Sequence, residues 1–231
     1  MSTPTTSGPV PGAPTTETAA APSGRRPNRF GPAPKLLATS LIGFVLLVVA
    51  TLGLLAVSGV ELLSAATPTQ FASVVGLVSG RGVVYLLAMC WGAAGVVMVA
   101  RRLLLDGGSG RVPAIGALVF SGLSVLAAAC QVVLPWLAVG FSAATFGDTG
   151  TYDVFFATSL TTIWAAVVAA GCLAVAARSA GVRPGFMLVV ALVCAAYLVV
   201  DVTTRGAVPP FGIAFVWLAL GIGLRASRVP S

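Results

Sequence analysis

The sequence predicts an all-α polytopic integral membrane protein, a bundle of six transmembrane helices. Three observations carry that prediction. Hydrophobic residues make up 58% of the 231 and charged residues only 8%, with a mean hydropathy of +1.03; a soluble domain carries about 25% charge. The apolar residues gather into runs near the ~20 residues that a helix needs to cross a bilayer core. The Lys and Arg residues fall beside those runs, where they orient helices in a membrane.

Taken in order, residues 1–34 hold eight of the fifteen prolines, among Thr, Ser, Ala and Gly. So little apolar side chain cannot offset the entropy of ordering a chain, which predicts a disordered cytoplasmic tail. The spacing Pro11–Pro14 fits a PxxP docking segment, but a plain linker is the favoured reading. Arg25, Arg26, Arg29 and Lys35 follow, a topology signal that also suits anionic headgroups.

The membrane domain is expected over 35–226, with a short cytoplasmic tail after it. The first span, 36–63, is too long for a signal-peptide core of ~7–15 residues. The second, 82–100, is closed by Arg101 and Arg102. The third, 112–139, contains Gln131 and Pro135, with Trp136 as an interfacial anchor. The fourth, 154–177, ends at Arg178, and the fifth, 186–202, follows Arg183 and Pro184. The sixth, 209–225, is the shortest and reaches the lower limit of ~17 residues only with its prolines. Before the second span, Thr67 can cap a helix with Pro68 at its first position. There Phe71, Val74, Val75 and Val78 share one helical face, which fits either an interfacial helix or an extension of the second span.

With a cytoplasmic N-terminus, six spans put eleven basic residues inside and two, Arg81 and Arg205, outside. Both termini are then cytoplasmic and the protein sits in the cell membrane. A further regularity suggests three helical hairpins. Ser-Ala-Ala-Thr occurs at 64–67 and again at 142–145, and Ala-Arg closes the second and fourth spans at Ala100–Arg101 and Ala177–Arg178. The separations of seventy-eight and seventy-seven residues hint at duplicated two-helix units, although chance is the more economical reading in so Ala-rich a chain. The Ala, Val, Gly and Leu bias, with twelve arginines to one lysine, suggests a GC-rich bacterial genome.

Composition also limits the chemistry. The chain has no histidine, the commonest general base and metal ligand. Cys90, Cys130, Cys172 and Cys194 stand alone in separate runs, so neither a zinc site nor a redox pair is indicated. No nucleophile elbow, Walker lysine or metalloprotease motif occurs. We therefore expect no catalytic residues, metal or cofactor. The net charge of +7 is dispersed along the span ends, which argues against nucleic acid.

Two candidate features remain. Glu61, Arg81, Asp148, Asp153, Asp201 and Arg205 come from the three outer connections, and one compact bundle would put them on one outer face. Such a cluster could hold a headgroup, a divalent cation or a partner; solvated loop charge is the ordinary alternative. Gln131 is the strongest polar side chain within a span and is expected to face the bundle interior, joining helices or lining a cavity. No ionisable group falls at mid-span, which disfavours a carboxylate relay. The expected function is that of a non-enzymatic scaffold or accessory subunit acting through helix faces or outer loops. The expected partners are the bilayer and either another membrane protein or a second copy. The alternative is a small transporter or lipid-handling protein with an apolar path.

Overall fold

The computed structural model describes residues 29–58, 63–204 and 212–225. Among them are six α-helices and no strand. They are α1 (Ala33–Ser58), α2 (Pro68–Asp106), α3 (Arg111–Leu137), α4 (Gly150–Ser179), α5 (Pro184–Thr203) and α6 (Gly212–Arg225). Short 3-10 turns, Leu63–Ala65 and Phe146–Asp148, precede α2 and α4. Helices are the expected outcome for apolar runs in lipid, because each must satisfy its own backbone hydrogen bonds.

Five helices, α1 to α5, are long and apolar enough to cross a membrane. The fourteen residues of α6 extend about 21 Å at the helical rise, less than a ~30 Å core. A membrane helical bundle follows; the sixth crossing does not.

The bundle has an inner and an outer set. Helix α1 packs against α2 and α6, α3 against α2 and α4, and α5 against α4 and α6. In the centre, α4 meets both α2 and α6, and Trp217 of α6 lies on Gly92 of α2. The even helices thus form a central triangle and the odd helices fill its outer grooves. Burial follows that plan: 50% of the apolar window of α2 and 61% of that of α4 is buried, against 22% for α1 and α5. Small residues make the seams narrow. An ideal Cβ on Gly43 would lie 2.8 Å from the Ala88 Cβ, and one on Gly221 would lie 2.7 Å from the Pro34 carbonyl. The pairs Ala165 and Ala169, and Ala166 and Ala170, are all buried in α4.

Helix α2 is one continuous element of 39 residues, about 58 Å long. The segment that could have lain on the membrane surface instead extends the second span. Thr67 and Pro68 start it, and the Gln70 side chain reaches back to accept from the Thr67 N–H at 3.0 Å. Phe71, Val74, Val75 and Val78 are all buried. At its other end, Gly107 and Gly108 take φ values of 72° and 98°, which suit glycine and reverse the chain into α3.

The described chain begins ahead of the first apolar run. Phe30 is buried, and Arg29 Nη2 reaches Asp106 Oδ2 at 2.7 Å, fastening residue 29 to the end of α2. Composition had placed both residues in the tail; one aromatic anchor and one ion pair suffice to hold them. The remainder of that tail, 1–28, lies outside the described residues. The four cysteines are free.

Candidate functional site

Contacts between neighbouring helices put several polar groups at one height. A Cβ on Gly82 would stand 2.6 Å from the Gln131 carbonyl oxygen, so α2 and α3 are nearly in backbone contact there. Only the missing Cβ of glycine permits that approach. Pro135 has no N–H to give to the carbonyl four residues earlier, so the Gln131 carbonyl loses its helical donor. One residue on, the Ser79 hydroxyl donates to the Val132 carbonyl at 2.7 Å. From α3 the Gln131 amide donates to the Phe155 carbonyl at 2.9 Å and to Thr158 Oγ1 at 2.6 Å, both on α4. Gln131 is 3% exposed and joins helices rather than meeting lipid.

Counting along each helix gives the depth of this layer. Twenty residues separate Arg81 from Arg101, Arg111 from Gln131, and Thr158 from Arg178. Each interval is about 30 Å at the helical rise, the thickness of a hydrocarbon core. Gln131 therefore lies level with Arg81, about one bilayer-core thickness along the helices from Arg101, Arg111 and Arg178. On α2 the exposed side chains become more polar at the same height. Below it α2 presents Val83, Leu87, Trp91 and Met98; above it, Thr69, Gln70, Ser73 and Gly76 with the single large apolar Leu77, while Trp136, Leu137, Val139, Val154 and Phe156 keep an apolar exposed surface above it on the neighbouring segments.

Above the layer lies a folded cap. Phe71 of α2 stacks at 4.3 Å on Phe146 of the second 3-10 turn, and Phe141, Tyr152 and Phe155 surround Phe146 at 5.4–6.3 Å. The two Ser-Ala-Ala-Thr segments meet here: the Phe146 N–H donates to the Ala66 carbonyl at 2.8 Å. Their threonines make the same local device. Thr145 N–H donates to Asp148 Oδ2 at 3.1 Å, as Thr67 N–H does to Gln70.

The outer charges are dispersed. Arg81 Nε donates to Thr51 Oγ1 of α1 at 2.9 Å. Asp148 caps its own turn, and Asp153 is exposed in the first turn of α4. Asp201 is fully buried in the last turn of α5, where its Oδ2 accepts from the Trp164 indole N–H at 2.6 Å. No ion pair joins Arg81, Asp148, Asp153 and Asp201 to one another. Glu61 and Arg205 lie outside the described residues. Thr51, Ser79 and Trp164 had drawn no attention in the sequence, because each acts through a partner at least thirty residues away.

Two other features border the membrane. Between α1 and α2 a half-open groove of about 600 Å³ is lined by Leu36, Ile42, Leu46, Leu87 and Trp91. Its one polar contact is the Trp91 indole N–H donating to Thr39 Oγ1 at 3.0 Å. In the interior, the Tyr85 hydroxyl and the Trp217 indole N–H are buried without hydrogen-bond partners. No group of three metal-ligating side chains occurs among the described residues. No protein-family model matches the chain, and neither a curated protein nor a solved structure matches it.

Proposed function

We propose that this chain is a non-enzymatic membrane scaffold or accessory subunit, crossing the membrane six times, with its basic loops in the cytoplasm and its cap outside. It engages a partner, either another membrane protein or a second copy, through the cap. The observation that carries this reading is the overhang of α2. Thirteen residues, Pro68 to Gly80, continue past the Arg81 layer and are cemented to 141–156 by the aromatic cluster. A surface held so firmly can be recognised without first being ordered. Cysteine-accessibility labelling tests the topology. Labelling of the C-terminus from outside, with a cytoplasmic N-terminus, would show that α6 does not cross.

A photo-crosslinking residue at Gln70 or Asp153, in native membranes, tests the function. One discrete protein adduct is expected there, and none from a probe at Arg102. Absence of any protein adduct, together with solute flux in vesicles holding the purified chain, would overturn the proposal. The groove between α1 and α2 supports the second reading, a lipid-handling protein, since its size and apolar lining suit an acyl chain.

A further inference from the structure

We propose that Arg81, Thr51 and Tyr85 form a binding site for the phosphate group of a membrane lipid in the cap-side leaflet. Arg81 stands in the polar layer, where the headgroups of that leaflet begin. Its Nε is held by Thr51 Oγ1, and Thr51 in turn donates to the Leu47 carbonyl at 2.8 Å. That contact fixes the plane of the guanidinium and uses one of its five N–H donors. No carboxylate of the described residues makes an ion pair with Arg81. The side chain is only partly buried.

The second observation is independent of the first. Tyr85 lies one turn deeper on the same face of α2, 6% exposed, its hydroxyl buried without a partner. Opposite on α1, Thr51 and Phe44 stand seven residues apart on one face, and Phe44 meets the Tyr85 ring edge-on at 6.5 Å. Arg81 and Tyr85 therefore line the same α1–α2 seam, about one helical turn apart. A buried hydroxyl donor below a partly open cation is a combination that a phosphate oxyanion satisfies. One oxygen pair meets the planar fork, and another oxygen accepts from the phenol.

The full chain, purified in a neutral maltoside and delipidated, is titrated with three probes. They are phosphatidylglycerol, a galactosyl diacylglycerol with the same acyl chains, and inorganic phosphate. Native mass spectrometry and thermal unfolding are read together. One tightly held phosphatidylglycerol and a raised Tm are expected, with no such effect from the phosphate-free lipid. Arg81→Lys keeps the charge but loses the fork, and Tyr85→Phe loses only the hydroxyl. Both should stay folded, and each should weaken retention, Arg81→Lys by about tenfold. Arg102→Gln, at the opposite face, should leave retention unchanged. Equal retention in wild type, Arg81→Lys and Tyr85→Phe, or equal stabilisation by the galactolipid, would overturn the site. Arg81-dependent stabilisation by inorganic phosphate without lipid would overturn the lipid assignment in favour of a soluble anion. Such a site is compatible with either function class, and a failed crosslink at the cap leaves it intact.

Discussion

The cap and the membrane interior are built from similar side chains and held together by different forces. In the cap, Phe71, Phe146 and Phe155 sit above the polar layer, where the alternative to burial is water. Their burial draws on the hydrophobic effect. Between the layers the alternative to burial is lipid, which is as apolar as the core itself. There the helices are held by close fit, as at Gly43 on Ala88 and Gly92 under Trp217, and by a few hydrogen bonds. Four ring contacts centre on Phe146 in the cap, whereas close glycine and alanine contacts recur between the layers beside Phe44, Tyr85 and Trp217. The contrast teaches that the same hydropathy along a chain can conceal two unlike sources of stability.

The contrast can be broken most forcefully at Phe146. Phe146→Ala removes the centre of the aromatic cluster and should cost about 3–5 kcal/mol of cap stability. Hydrogen exchange should rise sharply over Phe71 to Val78 and stay slow in α4 below Thr162; uniform exchange would show that cap and bundle unfold as one. Next comes Gly92→Ala. A Cβ there overlaps the Trp217 ring, a contact that cannot be relieved without shifting α6. Overpacking of this kind costs about 1–3 kcal/mol, so Tm in detergent should fall while cap exchange stays slow.

Much of this architecture was legible beforehand, for reasons that particular residues make plain. Arg178 and Arg183 mark helix ends, and Arg101 the end of an apolar run inside α2, because charge is excluded from lipid and a sequence records charge directly. Thr67 and Pro68 announce a helix start through local capping chemistry. The relation between helices is a different matter. The apolar run containing Gln131 continues to residue 139, so the run alone does not show that the amide lies level with Arg81 of another helix. The contact with Gly82, forty-nine residues earlier, sets that level. Asp201 resembled a loop charge because its partner, Trp164, comes from another helix. The run before Gly80 is too weakly apolar to read as a span, and the cap residues that bury it come from 134–155.

Smaller effects sharpen the comparison. Ser79→Ala removes the hydroxyl that donates to the Val132 carbonyl and should cost about 1 kcal/mol, measured as a modest drop in Tm. Gln131→Leu should cost least, about 0.6 kcal/mol, because an amide in a membrane finds other partners in the unfolded state. A double-mutant cycle with Thr158→Val should give a coupling of the same size. A loss above about 2 kcal/mol would place Gln131 among the determinants of the fold rather than its joints.

The two polar layers also act as a gauge of bilayer thickness. Their separation is set by covalent helices, so the molecule cannot adjust it by more than tilt. A thicker membrane would immerse Gly80 and Arg81 in hydrocarbon and widen the mismatch beside the short α6. Each ångström of mismatch costs a fraction of a kcal/mol. Given a choice of membranes, this protein should partition into the thinner one, and it should thin the lipid beside α6 where it cannot.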